Sequence, residues 1–161
     1  MTLSSSVDLR TAERFLQQQG FEAGDLRSPR VITSRMMTPM MRAADLGELS
    51  VCIWLYERGA AEDVAKAEAK HRETCMMRAA LNGHLSVCKW LLKVSGGAVA
   101  ITTAVNNDGD TPVFMACMNG HLSVCKWLSE VGAAADITKE NRNAYTPVRP
   151  TIYPTPEIHL S

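Results

Sequence analysis

Two histidine and cysteine pairs are the residues best suited to chemistry in this sequence. His84 precedes Cys88 by four residues, and His121 precedes Cys125 by the same interval. Residues four apart share one face of a helix, and imidazole and thiolate groups are ligands of zinc. A structural zinc site needs four ligands, and neither helix supplies another histidine or cysteine to complete the set. The sequence therefore predicts no metal site and no cofactor.

Other patterns that could support chemistry are absent or incomplete. The run from Asn106 to Asp110 lacks the distant bidentate glutamate of a calcium loop, so it is interpreted as a turn. No GxSxG motif, phosphate-binding glycine loop or catalytic triad pattern occurs. Trp54, Trp90 and Trp127 recur at one position of a repeat, which favours packing in a core over base stacking. We expect no enzymatic activity.

Composition narrows the class of partner. Seventeen Lys plus Arg balance 17 Asp plus Glu, so nothing favours binding to nucleic acid. No apolar run approaches the roughly 20 residues that span a bilayer, and Met1 to Arg10 lacks the pattern of a secretory signal. An odd count of five cysteines indicates reduced thiols. The sequence predicts an intracellular, cytoplasmic protein that binds no membrane.

An internal repeat determines the predicted fold. The segment Asn82 to Leu91, NGHLSVCKWL, recurs unchanged at Asn119 to Leu128, and a looser copy occupies Leu46 to Leu55. A second matching segment lies upstream of each copy and begins at Thr38, Thr74 or Thr111. The repeated unit therefore has two halves and is present three times.

Each half has the features of a short helix. The three threonines can cap a helix, and Pro39 and Pro112 follow at the first helical position, where proline is tolerated. Gly47, Gly83 and Gly120 can end that helix in the left-handed conformation. The second helix is apolar on most sides, so it must be buried on several of them. Stacking one unit on the next achieves that burial.

At this point the succession TPxxxAAxxGHLxVxxWLxxxGA, over Thr38 to Asp136, resembles the ankyrin repeat family. The resemblance implies an all-α helical repeat solenoid of helix–turn–helix units joined by hairpin-like loops. The family period is about 33 residues, and the longer spacing here predicts longer loops. Met41, Met77 and Phe114 replace the usual histidine of the TPLH motif, so we expect methionine packing in place of the hydrogen bonds between repeats that this histidine would make.

The predicted organisation has three parts. Residues 1–37 form a degenerate N-terminal capping repeat and an irregular connection. Residues 38–146 hold three repeats, at about 38–73, 74–110 and 111–145. Residues 147–161 form a proline-rich, extended tail. Three alternatives stay open for the exposed end of the third repeat: the tail covers it, the chain dimerises there, or the chain is a fragment of a longer array.

The resemblance implies that a protein partner binds the concave face of the first helices and the loop tips. The first-helix positions are Arg42, Asp45, Leu46, Arg78, Leu81, Asn82, Met115, Met118 and Asn119. The tip positions are Lys70, His71, Glu73, Asn107, Asp108, Asp110, Arg142 and Tyr145. We expect Leu46, Leu81, Met115 and Met118 to be exposed beside two arginines, a composition typical of protein-binding surfaces.

The sequence thus predicts a non-enzymatic protein–protein interaction module with an unidentified protein partner. The alternative is a self-assembling scaffold, a homo-oligomer formed through the C-terminal end of the stack.

Overall fold

Pairs of antiparallel helices form the body of the molecule. The computed structural model describes residues 9–22, 30–32, 35–97 and 100–147. In chain order, the helices and strands are α1 Leu9–Gln18, β1 Arg30–Ile32, β2 Arg35–Met37, α2 Pro39–Leu46, α3 Leu49–Leu55, α4 Cys75–Leu81, α5 Leu85–Val94, α6 Ala100–Thr103, α7 Pro112–Met118 and α8 Leu122–Leu128. The first helices α2, α4 and α7 pack side by side, and the second helices α3, α5 and α8 form the row behind them. The predicted helical repeat solenoid is confirmed.

Threonine caps begin all three first helices, as the sequence predicts. The side chains of Thr38, Thr74 and Thr111 each accept a hydrogen bond from the backbone N–H three residues later, at 3.2 to 3.3 Å. Pro39 and Pro112 occupy the first helical positions. Each cap satisfies a backbone donor that the helix itself leaves unpaired, so local chemistry fixes where these helices start.

Glycines turn the chain between the two helices of each unit. Gly47, Gly83 and Gly120 have φ values of 75°, 77° and 76°, a conformation that residues with a Cβ rarely adopt. Gly59 and Gly132 do the same after α3 and α8. A π-helical turn follows each of these two second helices, at Tyr56–Ala60 and Ser129–Ala133, and a 3₁₀ turn comes next, at Ala61–Val64 and Ala134–Ile137.

Methionine and leucine side chains fill the interior between the two helical rows. Met40, Met41, Met76 and Met77 are fully or almost fully buried on the first helices. Opposite them, the second helices bury residues that include Val51, Leu55, Val87, Leu91, Val124 and Leu128. Unbranched methionine side chains adapt to irregular gaps, which agrees with their predicted role in packing repeat on repeat.

The three tryptophans occupy equivalent positions on α3, α5 and α8 and belong to the core. Trp54 is buried, and Trp90 and Trp127 are half-buried and packed against the same core. The Trp90 and Tyr56 rings are nearly perpendicular, with 5.7 Å between ring centroids. The Arg58 guanidinium lies 4.6 Å from the centroid of the Trp54 ring. Packing therefore explains the repeated aromatic position.

The N-terminal helix α1 packs against α3 through buried Ala12, Phe15 and Leu16. Within the segment predicted to be irregular, β1 and β2 pair as a short antiparallel hairpin. The predicted tail after Pro147 lies outside the described residues. None of the helices in the described ranges is long and apolar enough to cross a membrane.

Candidate functional site

The candidate surface consists of three equivalent positions on each first helix. Because α2, α4 and α7 pack side by side, equivalent residues of successive repeats become neighbours. We call this surface the first-helix face. Counted back from the glycine turn, its positions are Arg42, Arg78 and Met115 at five residues, Asp45, Leu81 and Met118 at two, and Leu46, Asn82 and Asn119 at one.

Charged side chains join the first two repeats at one end of this face. The Arg42 guanidinium donates to one Asp45 carboxylate oxygen at 2.7 Å, and Arg78 donates to the other. Asn82 donates to the latter oxygen at 2.9 Å, and Arg78 also pairs with Glu73 at 3.2 Å. These five residues form one ion cluster.

Burial places the two carboxylates of the ion cluster in the framework of the molecule. Asp45 is only 7% exposed, and Glu73 is equally buried. Arg42 extends the cluster to the N-terminal helix region by donating to Gln19 at 2.9 Å. The sequence predicted Arg42 and Arg78 as partner-binding positions beside exposed apolar residues. In the structure both pair with carboxylates, because Asp45 of one repeat faces Arg78 of the next.

The apolar side chains of the face differ in exposure from repeat to repeat. Met118 is 58% exposed, Leu46 is exposed and Leu81 is half-buried. The expected exposure of Met115 is wrong, since that residue is only 6% exposed. Its position corresponds to Arg42 and Arg78, whose long charged chains reach out to a carboxylate. A thioether has no such partner, and burying it is favourable.

A cleft of about 390 Å³ opens beside Met118. Ala144, Tyr145, Thr146 and Pro147 complete its lining. Tyr145 is 54% exposed, so the cleft offers a thioether and a phenol ring at one mouth. The Tyr145 side chain combines an apolar ring with a polar hydroxyl group, a combination that is common in protein interfaces.

Each loop tip contains a turn in which one side chain accepts hydrogen bonds from two backbone N–H groups. The Asn106 side chain accepts from the backbone N–H groups of Asp108 and Asp110, at 3.0 and 2.9 Å. Asn141 accepts in the same way from the residues two and four positions later, at 2.9 and 3.0 Å. In the first loop the Glu68 carboxylate accepts from the N–H groups of Lys70 and the next residue. Sequence reasoning missed these three acceptors, although Asn106 and Asn141 lie at equivalent points of their repeats.

Hydrogen bonds also link each tip to its neighbour. The Asn107 N–H donates to the His71 carbonyl at 3.0 Å, and the Arg142 N–H donates to the Asp108 carbonyl at 2.8 Å. Asn107 and Asp108 are exposed, whereas His71 and Asp110 are half-buried. The tips therefore form a continuous ladder that holds the predicted tip residues at fixed spacing.

Glu68 carries the perturbed carboxylate of this ladder. Burial raises its pKa, but hydrogen bonds from the Lys70 and His71 N–H groups and the adjacent His71 ring outweigh that effect. The pKa of Glu68 is therefore lowered from the ordinary 4.5. The His71 ring nitrogen Nδ1 lies 3.1 Å from the same carboxylate.

The histidines of the repeated motif join one repeat to the next. His84 Nε2–H donates to the Asp45 carbonyl at 3.1 Å. Its ring lies against Gly47 so closely that a Cβ on that glycine would be 2.5 Å from Nδ1. Among the described residues, no three His, Cys, Asp or Glu side chains are grouped to hold a metal ion. The structure thus gives His84 a structural contact that sequence reasoning did not identify.

The cysteines offer little nucleophilic chemistry. Burial raises the pKa of Cys52 and Cys88 to about 12, and burial together with Cys117 does the same for Cys125. Burial also raises the pKa of Cys75 well above its ordinary value. Thiols, unlike thiolates, are poor nucleophiles. Cys117 is half-buried, and its sulfur lies 2.7 Å from the sulfur of Cys125.

Comparison with known families supports the repeat geometry described above. The sequence model for ankyrin repeats in three copies matches residues 40–141, which is well over half of the chain. Comparison with curated proteins found no significant match. The matched region contains the first two loop tips and all three helical pairs apart from Pro39. The chain therefore belongs to the ankyrin repeat family.

Proposed function

We propose that this chain binds a protein partner across the first-helix face and the loop tips, without catalysis. Ankyrin repeats are generally protein–protein interaction modules and are typically not enzymes. The observation that carries the proposal is the exposure of Met118 and Tyr145 beside a cleft on this face. Exposed apolar side chains at a concave site are characteristic of binding surfaces.

The surface combines a rigid frame with varied side chains. Leu46, Asn82 and Asn119 are exposed at one position of successive repeats, while the core positions around them repeat almost unchanged. The ladder of tip hydrogen bonds fixes the spacing of Asn107 and Asp108. A surface that is already ordered loses less entropy when a partner binds. These features support binding of a partner whose surface has a complementary shape.

The ion cluster narrows the set of residues that contact the partner. Its two carboxylates, Asp45 and Glu73, are buried, so their role in binding is to hold the surface. Met115 is also buried, and half-buried Asp110 accepts a hydrogen bond from Asn141 at 2.7 Å, so both hold the surface as well. We infer that direct contacts come from Leu46, Asn82, Met118, Asn119 and the exposed tips. The partner then presents an apolar or aromatic side chain to the cleft and hydrogen-bonding groups around it.

Affinity measurements on variants of the full chain test this proposal. The partner is first captured from the native cell, and its affinity is then measured for Met118→Ala, Tyr145→Ala and Lys89→Ala. Lys89 is exposed on α5, in the second row of helices, and serves as the matched control. We expect the first two changes to weaken binding at least about tenfold, as for hot-spot residues. Weakening by Lys89→Ala alone would place the binding surface on the opposite row.

A further inference from the structure

The turn glycine of the third repeat, Gly120, lacks, within the ranges that the structure describes, the histidine neighbour that the turn glycines of the other two repeats have. A Cβ built on Gly47 would lie 2.5 Å from the His84 ring, and one on Gly83 would lie 2.5 Å from the His121 ring. For Gly120, nothing in the described part of the chain beyond its chain neighbours lies within 4 Å of that position. Among the described residues, therefore, none makes at Gly120 the contact that joins the earlier repeats.

Apolar side chains at the same end are more exposed than their equivalents. Leu122 is 78% exposed, whereas the equivalent Leu49 and Leu85 are half-buried. Cys117 is half-buried, whereas the equivalent Ala80 is fully buried under the next repeat. We call the surface formed by Gly120, Leu122 and Cys117 the terminal face. Covering apolar surface of this kind removes it from water and lowers the free energy of the protein.

The contacts between earlier repeats define what the terminal face can accept. His84 fills the space over Gly47 and donates to the carbonyl of Asp45. The corresponding carbonyl of the third repeat belongs to Met118, which also lies two residues before its glycine. The terminal face therefore accepts a histidine ring that fits against a glycine and donates one hydrogen bond, followed by an apolar side chain.

The chain carries such a sequence after the described residues. His159, Leu160 and Ser161 repeat the triplet that begins at His84 and again at His121. His121 follows His84 by 37 residues, and His159 follows His121 by 38. His71, the remaining histidine, is followed by arginine. A third copy of the triplet thus occurs at nearly the repeat period.

The connection from the described chain is long enough to allow this contact. Residues 148–158 separate the triplet from Pro147, which lines the cleft beside Met118. Eleven residues can span up to roughly 35 Å, whereas adjacent helices are about 10 Å apart. No complete fourth helical pair is required, since only the triplet must reach the terminal face.

We propose that residues 148–161 of the same chain cover the terminal face, with His159 against Gly120 and Leu160 over the surface beside Leu122. His159 Nε2–H then donates to the Met118 carbonyl, as His84 does to that of Asp45. This contact goes beyond the proposed binding function. It means that the chain covers its own terminal face, while the partner binds the first-helix face.

Alkylation of Cys117 by iodoacetamide tests this contact in the full chain. The four other thiols are buried and their pKa values are raised, so they react slowly in the folded protein. We expect His159→Ala and Leu160→Ala each to accelerate modification of Cys117 at least fivefold. Thr155→Ala, a tail position outside the triplet, is the matched control and should leave the rate unchanged.

Two results would overturn the proposal. One is a rate that is the same in all four proteins and independent of protein concentration, which would mean that the face is bare. The other is a rate that falls with rising concentration and ignores both triplet variants, which would assign the face to a second copy of the chain.

A measurement on the unaltered chain covers the case in which a variant unfolds. Nuclear Overhauser effects between histidine rings and glycine α protons report these contacts directly. The effect between His84 and Gly47 serves as an internal control, because the structure places them in contact. We expect the same effect between His159 and Gly120. Its absence in a spectrum that shows the control would refute the contact.

Discussion

Asp45 is the residue on which the charged end of the first-helix face depends. Its carboxylate receives hydrogen bonds from Arg42, Arg78 and Asn82, and it is almost fully buried. Two guanidinium groups that converge on one buried carboxylate repel each other when its charge is removed. The cost of losing a buried partner exceeds the net gain that the intact pair provides.

Asp45→Asn should therefore destabilise the fold. We expect the free energy of unfolding in urea to fall by about 3 kcal/mol, because half-buried Arg42 loses its carboxylate partner and half-buried Arg78 keeps only Glu73. Asp108→Asn, on an exposed tip, is the control, and its effect should stay within about 0.5 kcal/mol. Equal effects of the two changes would contradict a structural role for the ion cluster.

Gly47 combines a left-handed backbone with a histidine ring directly above it. Gly47→Ala should therefore cost more stability than Gly96→Ala, where φ is 71° but no neighbour lies close among the described residues. The conformational cost alone is about 1 kcal/mol, and displacing His84 should at least double it. Chemical denaturation measures both. A smaller loss at Gly47 would mean that the ring moves aside freely.

The loop tips are the elements through which low pH should reduce the stability of the fold. The pKa of Glu68 is lowered in the fold, so its contribution to stability is complete above the ordinary pKa of 4.5 and is lost as pH falls through the lower folded value. We expect the free energy of unfolding to decline as the pH falls below 4.5. Glu68→Gln should lower stability at neutral pH and reduce the decline on acidification.

Urea denaturation across this pH range provides the measurement. Glu130→Gln changes an exposed glutamate outside the tips and is the matched control. An identical pH profile for Glu68→Gln and the unaltered chain would show that the tip carboxylate is not linked to folding.

Local rules made the helices of the repeats predictable. Thr38, Pro39 and Gly47 set the start and the end of α2 through capping and backbone preference, and both operate within a few residues. The contact between Asp45 and Arg78 joins residues 33 positions apart. The repeat period brings those two residues to neighbouring helices, but only side-chain conformation decides that they meet.

The candidate surface was accordingly only partly predictable. The positions of Met118 and Asn119 next to a glycine turn follow from the repeat, and both are exposed. The burial of Met115 was not predictable, because it depends on the size and charge of the side chain placed at a shared position. The cleft was missed as well, since it also needs Tyr145 from the loop at the end of the third repeat.

At the scale of the whole molecule, one continuous core limits chemical access. We expect iodoacetamide to modify at most one thiol of the folded chain, that of Cys117, because burial raises the pKa values of the other four. All five cysteines should react in denaturant. Mass spectrometry counts the modified thiols. Rapid modification of Cys52 or Cys88 in the native state would show that one repeat opens independently of the others.

The tryptophan row gives each repeat its own optical reporter. Trp54 is buried beneath the Arg58 guanidinium, Trp90 stands nearly perpendicular to the Tyr56 ring, and Trp127 is half-buried in the third repeat. Chains that retain a single indole should therefore differ in emission wavelength and quenching by iodide. If the stack unfolds as one unit, the three fluorescence transitions coincide. Separate midpoints would reveal the order in which the repeats come apart.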